Sequence, residues 1–249
     1  MAIHARRWWD RRGWFRAVAT ILTVILQASP ASAGALERAI LGKSTIVDLS
    51  HSEGERQAPF PSGSVGKDFG TRLNALGIVR KDKRTIAQIP LRELLAPAVV
   101  VNMTAKVAEA PEYRATVEDL LAWERQYGRI PKWGVVLLYT GWAQRWADAA
   151  RYANLDAQGV SRAPGFSAAA LAFLVNERQV QGVGLDAFTP DAPSAAGGDT
   201  PAPIVPPGAW LIENLANLDR LPIKGTKLIV APLRLEAASA SARVIAILP

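Results

Sequence analysis

The 249 residues carry 29 Lys and Arg against 22 Asp and Glu, a formal net charge of +7, with 49% apolar residues, 20% charged residues and no Cys. This length suits one domain of ordinary size or two small ones, and the composition excludes a disordered chain. Without Cys there is no disulfide framework, thiolate zinc site, iron–sulfur cluster or cysteine nucleophile. The only histidines are His4 and His51, so a mechanism needing several imidazoles is already in difficulty.

In chain order, residues 1–33 read as a cleaved export signal. Arg6, Arg7, Arg11, Arg12 and Arg16 form a basic region, residues 17–26 an apolar run, and Ala31-Ser32-Ala33 a small-x-small cleavage site. Ten apolar residues are too few to cross ~30 Å of hydrocarbon at about 1.5 Å per residue. Arg11-Arg12-Gly13-Trp14-Phe15-Arg16 resembles a twin-arginine signal, with Asp10 where Ser or Thr is usual. Taking away the leader's five Arg and one Asp leaves 24 basic and 21 acidic residues over 34–249, a net of +3. Most of the basicity therefore belongs to the leader. No basic run with interleaved aromatics follows, which disfavours nucleic-acid binding. The expectation is a periplasmic or secreted protein of one domain, 34–249, with no stable membrane insertion after cleavage.

Short β-branched and apolar runs then recur at 44–49, 98–102, 134–139, 180–185, 209–212, 227–230 and 243–248. Such continuous apolar strands are buried on both faces. Between them lie helical patterns. Thr116-x-x-Asp119 approximates a capping box ahead of Leu120, Leu121 and Trp123; Ser167 caps a second helix, and a shorter one covers 142–152. Alternating strands and helices predict an α/β domain, and the strand-rich close over 221–249 predicts a mixed sheet. The stretch 189–208, rich in Pro, Gly, Ala and Ser, reads as a long loop of the kind that often carries function.

Several segments together resemble the cyclase family, whose best-known members are bacterial kynurenine formamidases. Val47-Asp48-Leu49-Ser50-His51 looks like the opening strand motif, Thr140-Gly141-Trp142 like TGW, and Pro164-Gly165-Phe166-Ser167 like the PGF/LS that opens a helix. Gly184-Leu185-Asp186, with Thr189 and Asp191, resembles G-[IV]-D-x-x-S-x-D. The segment 212–219 is similar to [IV]-E-N-L-x-N-L, and Pro232-Leu233-Arg234 with Arg243 fit the closing strands. The matches run in order from about residue 44 to the end. The resemblance implies a swivelling β/β/α fold, a homo-oligomer (dimer or tetramer), and hydrolysis of an amide or formamide C–N bond by a divalent metal, zinc or manganese. In the family, H-x-G-T-H-x-D-x-P-x-H supplies three metal ligands and the catalytic His, and a later His and the Glu of ENL complete the metal shell. The ion lowers the pKa of a bound water and the His moves the proton.

At the matching positions here stand Asp68, Arg72 and Asn74 for the three ligands, Leu76 for the Pro, and Ile78 for the catalytic His. The later His position is Pro201. Of the five ligand positions Glu213 alone is unchanged, and Asp68 still offers oxygen. Arg72 is a fixed cation that no protein environment deprotonates. Two unit charges ~4 Å apart at an effective dielectric of ~20 interact by about 4 kcal/mol, and a divalent ion doubles that repulsion. Arg72 is accordingly expected to pair with Glu213 or Asp68 in place of a metal. No cofactor is expected to bind tightly.

Three functional readings follow. The first is a formamidase-like hydrolase by descent with weak or lost activity. The second is a non-catalytic exported protein that binds a small carboxylate ligand or serves as an oligomer partner, with Arg72, Trp142 and Trp210 as ligand-binding candidates. The third is a relocated site in which Asp186, Asp191 and Glu213 hold Mg²⁺ or Mn²⁺. His51, Asp186 and Asp191 are weak catalytic candidates, each with a bland counterpart. His51 is then a hydrogen-bonded structural residue, Asp186 a cap on a nearby turn, Asp191 solvated, and the two tryptophans core residues. A serine triad would depend on His51 alone, and no G-x-G-x-x-G follows a strand.

Overall fold

The computed structural model describes residues 34–52, 70–75, 84–159, 161–188 and 209–249. Its strands are β1 (Ile46–Asp48), β2 (Arg72–Asn74), β3 (Leu95–Asn102), β4 (Arg114–Ala115), β5 (Val135–Tyr139), β6 (Gly165–Phe166), β7 (Gly182–Leu185), β8 (Trp210–Glu213), β9 (Lys224–Pro232) and β10 (Ser239–Ile247). The helices are α1 (Ala35–Ile40), α2 (Thr104–Glu109), α3 (Val117–Tyr127), α4 (Ala149–Ala153) and α5 (Ala168–Ala172), the last running on as a π-helical turn over Phe173–Glu177. Among the described residues no helix is long and apolar enough to cross a membrane.

The main sheet is mixed, in the order β1-β10-β2-β8-β7-β5-β3-β9, and β9 also pairs with β10. That last pairing closes the sheet on itself. Strands β3, β5, β7 and β8 run parallel; β2, β9 and β10 are antiparallel to their neighbours. Closure buries the inner face of the sheet, and the helices bury the outer face of β3, β5, β7 and β8, whereas β9 alternates buried and exposed residues. Along β5, Val135 and Leu137 join one core with Ala98, Val100, Trp210 and Ile212 inside the sheet, while Val136 and Leu138 join another with Val99, Val101 and Val183 beneath the helices. The side-chain period of two sorts the apolar residues between the cores, which is why these strands read as unbroken apolar runs.

The helical signals hold at the level of single hydrogen bonds. The Thr116 hydroxyl accepts from Asp119 N while the Asp119 carboxylate accepts from Thr116 N, a complete capping box on α3. Leu120 and Trp123 face the outer core, and Trp123 Nε1 donates to Val100 O at 2.8 Å. Ser167 caps α5 by accepting from Ala170 N. The segment expected to be one helix over 142–152 divides into a 3-10 turn, Trp142–Arg145, and α4, capped by Asp148. Strand β2 was not expected: its three residues, Arg-Leu-Asn, are too short and polar to register as a strand, and pairing with β8 and β10 creates it. The expected export signal lies outside the described residues.

Candidate functional site

The parallel strands β5, β7 and β8 end side by side, and there the polar residues gather: Thr140 after β5, Asp186 after β7, and Glu213 and Asn214 at the end of β8. Crevices at the carboxyl ends of parallel strands are where α/β sheets bind ligands. The amino end of β2 reaches the same place from the opposite direction, because Arg72 is the register partner of Glu213.

Residues two apart share a strand face, so Arg72 and Asn74 project together while Leu73 fills the sheet interior. Both converge on one oxygen. Arg72 Nε donates to Glu213 Oε2 at 2.6 Å, and Asn74 Nδ2 donates to the same atom at 2.6 Å. Glu213 is wholly buried, whereas the Arg72 side chain keeps 22% of its surface exposed. Burial of a carboxylate without such partners would cost several kcal/mol. The ion pair expected from the sequence is therefore present, in the Arg72–Glu213 version.

Asn214 fastens the two strands around this pair. Its φ of 57° is left-handed, a conformation that Asn tolerates better than most residues. Its Nδ2 donates to Gly70 O at 2.8 Å, its carbonyl accepts from the Thr71 hydroxyl at 2.5 Å, and its Oδ1 accepts from Tyr152 Oη at 2.8 Å. Asn214 was not among the residues singled out; the signal available was its place in the ENL segment. The Thr71 hydroxyl in turn accepts from His51 N at 3.0 Å. The His51 ring stacks on Trp146, centroids 4.0 Å apart and 11° from parallel, and Trp146 meets Tyr152 edge-on at 5.1 Å. His51 thus packs as part of an aromatic column.

Asp186 is completely buried. Its Oδ1 accepts from Thr140 N at 2.9 Å and from the Thr140 hydroxyl at 2.5 Å, capping the turn that begins Thr140-Gly141-Trp142. Among the described residues its Oδ2 has no hydrogen-bond partner. Burial pushes its pKa up from 3.8 to about 6 against the opposing pull of those hydrogen bonds. Trp142 and Trp210 are each only 1% exposed. Trp142 Nε1 donates to Tyr152 O at 2.9 Å, and Trp210 lies over Gly182 inside the sheet. Both tryptophans occupy the cores. The outer face of Trp142 is covered by the Arg145 guanidinium, 3.8 Å from the ring centroid. Asp68, Ile78, Asp191 and Pro201 lie outside the described residues.

The family model described as "Putative cyclase" matches residues 47–192, more than half of the chain. The chain belongs to the cyclase family. Isatin hydrolase of Roseibium aggregatum is 32% identical over 166 residues, covering 65% of this chain and 62% of that protein, so the match spans less than two thirds of the curated relative. The structure of isatin hydrolase A from Labrenzia aggregata bound to benzyl benzoate superposes with a TM-score of 0.71 at 27% identity, covering 86% of this chain and 97% of that one. A structure described as a potential metal-dependent hydrolase with cyclase activity shares the fold, with a TM-score of 0.59 at 19% identity, over 82% of this chain and 97% of that one.

The family resemblance implies a divalent metal, and the fit of these residues to one can be judged at Glu213. The carboxylate oxygen that would face an ion already accepts from a guanidinium and an amide. Asn74 presents an N–H donor there, not an oxygen. Among the described residues no three His, Cys, Asp or Glu side chains come together as a donor set. The described residues around Glu213 do not fit a divalent cation. The same facts bear on the relocated carboxylate site: Glu213 is engaged by Arg72, and Asp186 by Thr140.

Proposed function

We propose that this cyclase-family protein keeps the hydrolase fold but has weak or lost metal-dependent hydrolysis, and that it acts as an exported binding protein for a small carboxylate-bearing molecule. One observation carries the first half: the Arg72 guanidinium sits on Glu213, so the positive charge at the centre of the site is built into the chain. Without an ion there is no Lewis acid for a carbonyl and no lowered water pKa, and the described site holds no second imidazole to move a proton. Supporting the second half, hydrolysis of an amide yields a carboxylate, and a site descended from one that released such a product can bind it without making it. Periplasmic or extracellular residence follows from the leader, and a homo-oligomer is the proposed assembly, by analogy with the family.

The test is metal content together with turnover. Full chain produced with zinc and manganese supplements should carry far less than one ion per chain. It should hydrolyse neither isatin, the compound named for the curated relative, nor an N-formyl aromatic amine, and a chelator should change nothing. Stoichiometric metal with chelator-sensitive turnover of either compound would overturn the proposal.

A further inference from the structure

Trp133 holds a backbone conformation that its own side chain makes costly. Its φ is 61°, in the left-handed region that Gly enters freely and a bulky residue rarely does. The turn it belongs to, just before β5, is held by backbone bonds: Trp133 N donates to Gln179 O at 3.0 Å and Gly134 N to Pro131 O at 3.0 Å. Gly at 133 could make the same bonds without the strain. Yet the ring stays outside the core, 61% exposed. Strain of this kind persists where a function keeps it, and here the fold gains no buried ring in return.

The turn lies at the amino ends of the parallel strands, the end opposite the Glu213 crevice. Hydrogen bonds tie it to the 3-10 turn Leu91–Leu94, which leads into β3: Gln181 N donates to Gly134 O at 3.1 Å, and Gln181 Nε2 to Glu93 O at 2.9 Å. Leu91 on that turn is 79% exposed. Four exposed cations share this end. Lys132 Nζ lies 4.9 Å from the centroid of the Trp133 ring, Arg129 donates to Glu177 O on the neighbouring turn, and Arg92 follows Leu91. Lys227 is the register partner of Pro97, whose carbonyl would lie 3.3 Å from a Cβ on Gly134. Among the described residues none of the four is in an ion pair. Glu93 and Glu124 are already held by Arg84 and Arg178, which leaves Glu177 as the opposing carboxylate.

We propose that this end rests on an anionic phospholipid surface, with the Trp133 ring at headgroup depth and the four cations on the phosphates. A Trp flanked by Lys and Arg is the combination that membrane interfaces favour, each long side chain lying along the surface with its charge in water. Lys is depleted from protein–protein interfaces, and two exposed apolar side chains make too small a core for one. The contact is peripheral, with no inserted segment, and it leaves the crevice facing the aqueous side.

Every described strand and helix lies within 34–249, so the chain is tested without residues 1–33, whose own basic and apolar runs would bind lipid. It is sedimented with phosphatidylcholine vesicles made with and without phosphatidylglycerol. Binding should need phosphatidylglycerol and weaken as salt rises. Trp133→Gly should reduce it about ten-fold or more, and Lys132→Gln and Lys227→Gln about five-fold each. Leu155→Ser, an exposed leucine three residues beyond Tyr152 at the crevice end, should leave it unchanged. Trp133→Gly should melt no lower than the unaltered chain, because it relieves the φ. No vesicle binding, binding indifferent to phosphatidylglycerol, or binding that ignores Trp133→Gly overturns the proposal. A clearly lower melting temperature for Trp133→Gly shows that the ring serves the fold and removes its ground. A dimer that dissociates in Trp133→Gly, without vesicle binding, overturns the lipid assignment in favour of a second copy of the chain.

Discussion

Arg72 and Glu213 face each other across the β2–β8 pair, Nε to Oε2 at 2.6 Å, with the carboxylate fully buried and the arginine side chain partly exposed. The pair spans the join between a strand from the start of the domain and one near its end. Removing the guanidinium takes its charged partner from a buried anion. Arg72→Ala should therefore lose about 3–5 kcal/mol, read as the denaturant midpoint at pH 7. Replacing both partners, Arg72→Met with Glu213→Leu, should cost less than Arg72→Ala alone, since no charge is left buried. Additive losses would show that the two residues do not act as a unit.

Asp186 makes stability depend on pH in a direction opposite to most carboxylates. Its folded pKa of about 6 lies above the unfolded 3.8, so the folded chain binds this proton more tightly. The associated stability is fully present below pH 3.8 and is lost as pH rises through about 6, on the order of 3 kcal/mol in all. Asp186→Asn keeps an oxygen for Thr140 and removes the titration. The stability of this variant relative to the unaltered chain should improve between pH 4 and pH 7, both within reach of thermal melts. An offset that is the same at both pH values would show that Asp186 does not titrate in this window.

Gly182 exists for Trp210. A Cβ at Gly182 would stand 2.3 Å from Trp210 Cε3, a ring buried in the core inside the closed sheet. Gly182→Ala should destabilise by about 1–3 kcal/mol or more through overpacking. Pairing it with Trp210→Leu should recover part of the loss, whereas a double variant weaker than both singles would contradict the contact.

Thr116 offers a smaller, local test. Thr116→Ala removes one half of the α3 capping box but leaves the Asp119 carboxylate on the backbone N–H. A loss of about 1 kcal/mol is expected in the denaturant midpoint, and no measurable loss would mean that the hydroxyl contributes nothing there.

Much of this architecture was legible from residue patterns. β5, β7 and β8 are short apolar runs because closure buries one face and the helices the other, and the caps at Thr116 and Ser167 are local chemistry that needs no partner. The mixed sheet followed from the strand-rich close. What the patterns missed depends on distant contacts. β2 is polar and three residues long, and it exists only through β8 and β10. β9 and β10 are nine residues each, longer than their apolar centres suggested, because the closing pair extends them. At the site, charge and motif position made a carboxylate partner for Arg72 readable, as Glu213 or Asp68, and the fold selects Glu213. The role of Asn214 was not, since its left-handed backbone and three-way hydrogen bonding appear only when Gly70, Thr71 and Tyr152 are brought to it. Nor did the sequence reveal that Trp142 is buried with Arg145 over its face.

The central claim is that a guanidinium, and no metal ion, answers the Glu213 carboxylate. The most direct measurement is a calorimetric zinc titration of the metal-stripped chain, repeated on Glu213→Gln. The account predicts no tight saturable binding in the unaltered chain and the same trace for the variant. Stoichiometric nanomolar zinc binding that disappears in Glu213→Gln would contradict it.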